Sequence, residues 1–342
     1  IVSRHHEEMQ LSCHRIRWHL YMKQDPNTLS PRLPENDESE ELVAAVCVLT
    51  FNANDPSGAG GLTGDTSAMA SVGAHALAIV TGTYVRDTTE IIDFFPFDDE
   101  AVTDQARTVL QDMPVQAIKV GFAGSPENLA AIAAITADYS DVPVIAYMPN
   151  LSWWSDDLID QYLDAFEELL LPQTSVLVGN HSTLRRWLLP DWDNDRAPTA
   201  REIAMAASKH GVPYSLVTGI PVDNLHFDNV LTSPQAIIGS GQFDRLEVSF
   251  AGAGDTLSAA LTALVACDSD LGDATREALL YLDGCLLAGY RPGMGQLLPD
   301  RMFWAQSDED DEEEGEEDEA ASDSKGTSAL DAFQIPPNDT SH

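Results

Sequence analysis

The stretch AAVCVLTFNANDPSGAGGLTGD, residues 44–65, decides the architecture. Residues 44–51 are a short unbroken apolar run ended by Asn and Asp, the pattern of a strand buried on both faces. A glycine-rich turn follows with Gly58, Gly60 and Gly61, then a helical stretch over about residues 66–72 with Asp65 at its head. Outward from it the pattern repeats. Apolar runs at 77–81, 117–121, 142–147, 175–178 and 214–218 alternate with amphipathic stretches at 100–111, 125–139, 157–170, 199–210 and 254–267. Strands alternating with helices predict an α/β fold with a central, mostly parallel sheet covered by helices on both faces. Ligands of such sheets bind beyond the carboxyl ends of the strands. The residues that deserve scrutiny are therefore in the strand-to-helix turns.

Composition narrows the function. The 342 residues are 44% hydrophobic, enough for a sizeable core. Against 18 basic side chains stand 56 acidic ones, a formal charge of −38, which excludes sequence-independent binding to nucleic acid or to an anionic membrane. Any phosphate must be held by something other than a basic patch. Residues 1–42 carry −3 and are expected to be a poorly ordered extension; residues 43–306, the folded domain, carry −22; residues 307–342 carry −13. The run 308–319 holds no apolar residue and is expected to be a disordered acidic tail. Only Lys23, Lys119, Lys209 and Lys325 represent lysine, which fits a protein working in high salt, where screening weakens self-repulsion, or an ordinary acidic protein.

Cys13, Cys47, Cys267 and Cys285 lie far apart without a CxxC pair, so neither a zinc site nor a disulfide framework is indicated. The last three sit in apolar runs and read as small buried hydrophobes of a reducing compartment. No stretch approaches the roughly 18 apolar residues of a membrane span, and the first 42 residues lack the features of a secretory signal. A cytoplasmic location is expected. Residues 272–289 are apolar along one side, ordinary core spacing that also fits a dimer face.

A second glycine motif carries more chemistry. Ala251-Gly252-Ala253-Gly254-Asp255-Thr256-Leu257-Ser258-Ala259-Ala260 begins as a turn and continues as a helix of small apolar residues. Backbone N–H groups at such a helix start, together with the aligned peptide dipoles, make an anion hole without Lys or Arg. Asp255 in the first turn reads either as a capping carboxylate or as a general base that takes the proton of an attacking hydroxyl; the spacing favours the base. The first glycine turn also has two readings, steric necessity or ligand contact.

Taken together, these motifs resemble the ribokinase-type small-molecule kinases, and within them the hydroxymethylpyrimidine/phosphomethylpyrimidine kinases of thiamine synthesis. Residues 54–65 resemble that family's SDPSGGAGxQAD, residues 118–121 its K-I-G strand, residues 170–173 with Asn180 its LLP…TPN, and residues 251–260 its HGTGCTLSAA. The ending YRPGMGQLLPDRMFW, residues 290–304, resembles one bacterial branch. The resemblance spans about residues 43–304 and implies a single ribokinase-like domain, ATP and Mg²⁺ as cofactors, a small-molecule hydroxymethyl substrate and a homodimer. Carried over by position, Gly252, Ala253 and Gly254 form the anion hole and Asp255 is the base. Asn54, Gly61, Asp65, Arg86 and Phe122 border the substrate, and Lys119, Asn180, Thr218 and Gly219 lie on the nucleotide side.

Several positions depart from the family pattern. Asp255 stands where the pyrimidine kinases usually have Cys and ribokinase or pyridoxal kinases have Asp. Phe122 replaces a Met that packs on the pyrimidine. Arg86 replaces the Gln that reads the aminopyrimidine, leaving donors only where the family has a donor and an acceptor. The expected Asp-Pro reads Tyr147-Met148, and the expected Asn-x-x-Glu reads Asn180-His181-Ser182-Thr183, so two carboxylates near the metal are absent and the metal ligands stay unassigned. Three functions remain open: a kinase for hydroxymethylpyrimidine or its monophosphate, a kinase for a pyridoxal-like or other small alcohol, and a catalytically weak ligand-binding paralogue.

Overall fold

The computed structural model describes residues 45–305 and 333–334. Strand β1 (Cys47–Asn54) is buried at every position but the last, because it lies inside the sheet. It pairs in parallel with β2 (His75–Arg86) on one side and β4 (Ala117–Val120) on the other. Beyond β4 follow β5 (Val144–Met148), β6 (Val176–Asn180) and β7 (Tyr214–Pro221), each parallel to the last. Antiparallel strands complete both edges: β3 (Ile91–Pro96) beside β2, then β8 (His226–Thr232) and β9 (Ile237–Asp244) beside β7. The chain leaves β1 toward β2 and later returns to β1's other side as β4, so the crevice of this sheet opens at the carboxyl end of β1.

Alternation along the strands divides the core in two. Leu49, Phe51, Ile118 and Val120 face α2 (Asp99–Asp112), α3 (Pro126–Asp138), α4 (Asp156–Ala165), α5 (His181–Leu188) and α6 (Ala200–Ser208). Val48, Ile145, Val178 and Leu216 face α1 (Gly61–Ser71), α7 (Ala253–Ala266) and α8 (Leu271–Leu287). Helix α7 is buried almost all round, and its alanines Ala259, Ala260 and Ala263 let it lie close to both the sheet and α8. The apolar side of α8, with Ala274, Ala278, Leu279 and Cys285, is spent on that internal packing.

The expected α/β architecture is present, with differences at the edges of elements. Helix α1 starts at Gly61, five residues before the expected position, because Asp55 closes the glycine turn early. The stretch expected to be one helix over 157–170 is α4 followed by a π-helical turn, Phe166–Leu170. Strands β3, β8 and β9 escaped the reading because their mixed polar and apolar residues form no continuous apolar run, and helix α5 because it spans only eight residues. Cys47 and Cys285 are buried as expected, whereas Cys267 at the end of α7 is only half-buried. The extension expected over 1–42, Cys13 within it, and the acidic run 308–319 lie outside the described residues. Within the segment expected to be a disordered tail, however, Phe333–Gln334 form β10, antiparallel to the open edge of β9.

Candidate active site

The carboxyl end of β1 leads into a turn held by its own side chains. Asp55, buried, accepts hydrogen bonds from Ser57 N (2.9 Å), Ser57 Oγ (2.6 Å) and Gly60 N (2.9 Å), which folds residues 55–60 back on themselves. Its charge is met by Arg86 at the end of β2, 3.3 Å away. Arg301, near the end of the domain, fastens this turn to α7. It is only 7% exposed and donates to Thr256 Oγ1 (2.9 Å), to Gly58 O (3.2 Å) and to Ala59 O. The approach is so close that a Cβ on Gly252 would lie 1.5 Å from Ala59 O, and Gly252 itself has φ +84. Only glycine satisfies both demands.

Gly252 is the N-cap of α7 and no side chain caps it, so the first-turn amides of α7 remain available to a ligand. Beside them lies a cluster of two carboxylates and one ammonium. Asp255 Oδ1 accepts from Asn52 Nδ2 (2.8 Å) and lies 3.3 Å from Lys119 Nζ. Asp65 accepts from Thr50 Oγ1 (2.8 Å), from Asn52 Nδ2 (3.1 Å) and from Lys119 Nζ. Lys119 and Asp65 have no exposed side-chain surface, while Asp255 keeps 19%. Asp255 therefore is the member of the cluster that a solute can reach.

Electrostatics separate the two carboxylates. For Asp65, burial dominates, aided by the charge of Asp255, and raises its carboxyl above the ordinary value despite Lys119. For Asp255, burial also pushes upward, but Lys119, Asn52 and the Gly61 N–H together outweigh it, and its carboxyl lies below the ordinary value. Asp255 is thus held as an anion beside a helix start.

The family model described as phosphomethylpyrimidine kinase matches residues 55–300, well over half of the chain. The chain belongs to the phosphomethylpyrimidine kinase family. It is similar to the hydroxymethylpyrimidine/phosphomethylpyrimidine kinases of Mycobacterium bovis (29% identical over 259 residues, 72% of this chain and 90% of the relative) and Mycobacterium leprae (26% over 255 residues, 72% and 91%). The fold is that of the Staphylococcus aureus pyridoxal kinase solved with AMP-PCP and pyridoxal (TM-score 0.67, 18% identity, 77% of this chain and 96% of that one). It is likewise that of the Clostridium difficile phosphomethylpyrimidine kinase (TM-score 0.59, 17% identity, 70% and 99%). Membership makes the protein a kinase, a phosphotransferase with an alcohol group as acceptor.

Within this kinase fold the structure redistributes the expected site residues. Gly252, Ala253, Gly254 and Asp255 stand together at the start of α7, as expected. Asn180, Thr218 and Gly219 also come together: Asn180 and Thr218 are register partners on β6 and β7, and a Cβ on Gly219 would lie 2.5 Å from Asn180 Nδ2. Lys119, expected on the nucleotide side, is instead buried with Asp65 and Asp255. Asp65, expected to border the substrate, is sealed beneath Asp255, because Thr50, Asn52 and Lys119 surround it. Asn54 is exposed and bonded to Thr83 Oγ1 (3.2 Å), so it stands apart from the cluster; Asn52, buried two residues earlier and before the register of β1 against β2 shifts, holds the position instead. Gly61 contributes its N–H to Asp255, within α1.

Two expected pocket residues are engaged by protein. Arg86 pairs with Asp55 and lines an open cleft of about 350 Å³ together with Ser57, Thr88 and Met294. Phe122 is 2% exposed because protein rings surround it: Tyr84 stacks on it at 5.7 Å, with Phe94 (4.9 Å), Trp153 (5.7 Å), Trp154 (5.1 Å) and Tyr162 (5.3 Å) around. Trp153 and Trp154, partly exposed, were missed; the Trp pair just after the fifth strand was the available signal. Asn52 and Arg301 were missed too, although Arg301 lies in the ending 290–304 that the resemblance marked.

A protein-held magnesium ion does not fit these residues. No group of three His, Cys, Asp or Glu side chains among the described residues could hold a metal, and Asp65 and Asp255 are already engaged by Lys119 and Asn52. Among the described residues no helix is long and apolar enough to cross a membrane.

Proposed function

We propose that this kinase transfers the γ-phosphoryl group of ATP to the hydroxymethyl oxygen of 4-amino-5-hydroxymethyl-2-methylpyrimidine, or to the phosphate of its monophosphate. One observation carries the reading: an ionised, partly open Asp255 carboxylate lies in the first turn of a helix whose leading amides are uncapped. In the first step Asp255 accepts the hydroxyl proton as the alkoxide oxygen bonds to the γ-phosphorus, and the bond from that phosphorus to the bridging oxygen breaks to release ADP. The amides of residues 252–254 meet the negative charge spread over the transferring group. Asn180, Thr218 and Gly219 receive the nucleotide, and the partly exposed Trp153 and Trp154 offer π-faces to a flat acceptor ring. A homodimer working in the cytoplasm belongs to the same reading.

Pyridoxal is the second acceptor to consider, because Arg86 supplies donors only, a poor match for an aminopyrimidine edge that both gives and takes hydrogen bonds. The test incubates the purified protein with ATP, Mg²⁺ and each alcohol in turn, in low and high KCl, and follows ADP. Product from the pyrimidine alcohol or its monophosphate supports the first reading, and phosphorylation of pyridoxal alone replaces it with the second. Asp255→Asn is expected to lower turnover by at least about a hundredfold with little change in nucleotide affinity. Undiminished turnover would remove Asp255 from the chemistry.

A further inference from the structure

Tyr147, near the carboxyl end of β5, reaches the anion-hole helix from the sheet. Its neighbours on the strand, Ala146 and Met148, point to the opposite core, so alternation turns Tyr147 toward α7. There its hydroxyl rests on the first turn: a Cβ on Gly254 would lie 2.0 Å from Tyr147 Oη, and Gly254 is the second residue of the uncapped turn. Lys119 Nζ lies 5.8 Å from the ring centroid, so the ring borders the same cluster that holds Asp255. Tyr147 is half-buried and its hydroxyl makes no hydrogen bond among the described residues, whereas the buried Tyr162 accepts from Ala123 N (3.1 Å). A phenol without a partner beside a set of free amides has its proton to offer to an anion that those amides hold.

We infer that Tyr147 is a catalytic residue of this kinase, its hydroxyl donating a hydrogen bond to the terminal phosphoryl group that the α7 amides hold. The inference rests on the proposed phosphoryl transfer at this site. It assigns a neutral donor to a place beside two carboxylates, where a third anion would repel the phosphate. Burial first, then the nearby Asp255 and Asp65 charges, raise the phenol far above its ordinary value, so it remains protonated and able to donate throughout the working range.

The experiment compares the full chain with Tyr147→Phe, which keeps the ring on Gly254 and removes only the hydroxyl. Calorimetry is run with two probes, ADP and AMP-PCP, which differ by the terminal phosphoryl group. Tyr147→Phe should bind AMP-PCP about three- to tenfold more weakly than the wild type, while ADP affinity stays within about twofold. With an accepted alcohol, kcat should fall by at least about tenfold. Equal AMP-PCP affinity in the two proteins overturns the inference, as does an equal loss for ADP, which would mark a packing role. The two readings fail separately: AMP-PCP discrimination without turnover on any alcohol removes the acceptor assignment and leaves Tyr147 in place. Turnover with no Tyr147→Phe effect on either probe does the reverse.

Discussion

Lys119→Met would remove the cation that both buried carboxylates share, and its effect can be worked from the geometry. At 3.3 Å and an effective dielectric of about 20, the attraction between Lys119 Nζ and Asp255 is about 5 kcal/mol. Asp255 keeps 19% of its side chain exposed, so water restores part of this, and roughly half is a fair net figure. The sign follows from the opposed influences. In the wild type Lys119 and its partners outweigh burial and hold the carboxyl below the ordinary value, so the base stays charged into mildly acidic solution. Its contribution to stability is present above the unfolded value and is lost as pH falls through the lowered folded one. Without Lys119, only Asn52 and the Gly61 N–H still oppose burial, and the folded value rises. The acid limb of the kcat/KM profile should therefore move to higher pH. Folding stability at neutral pH should drop by about 3–5 kcal/mol, the cost of breaking a buried pair, measured by urea unfolding. The double variant Lys119→Met with Asp65→Leu removes one stranded carboxylate and should recover most of the stability, while its limb stays above that of the wild type. A folded Lys119→Met protein whose acid limb coincides with the wild type would refute the coupling of Lys119 to the base.

Other perturbations follow from the same site. Arg301→Met should cost about 2–5 kcal/mol, since it strands the Gly58 and Ala59 carbonyls that a buried guanidinium now satisfies, and it should raise KM for ATP by loosening the two turns; thermal unfolding and initial rates check both effects. Arg86→Gln should lower stability by about 1–3 kcal/mol, because Asp55 loses its counter-charge. A gain in kcat/KM for the aminopyrimidine alcohol over pyridoxal would show that this side chain also reads the ring. Deleting residues after Trp304 should leave turnover intact but expose the β9 edge that β10 covers, which light scattering at rising concentration would detect as self-association.

Much of this protein was legible along the chain. Continuous apolar runs marked the inner strands, since strands covered on both faces admit few polar residues. The two glycine turns announced where backbone must approach closely, and Asp255 stood at the head of an apolar helix. Those are local properties, fixed by periodicity and by the conformations that individual residues permit. The tertiary structure alone decided the partnerships. Asn52, not Asn54, reaches Asp255, because the pairing of β1 with β2 shifts register between the two residues and the strand ends exposed. Lys119 turned from a nucleotide contact into the counter-ion of Asp65 and Asp255, which lie 54 and 136 residues away along the chain. Arg301 joins turns that are far from it in sequence, and Phe122 lost its opening to rings drawn from β2, β3 and the segment after β5. Hydrogen bonds and ion pairs act over a few ångströms and carry no trace in residue spacing, so only the packed chain could say which charge answers which.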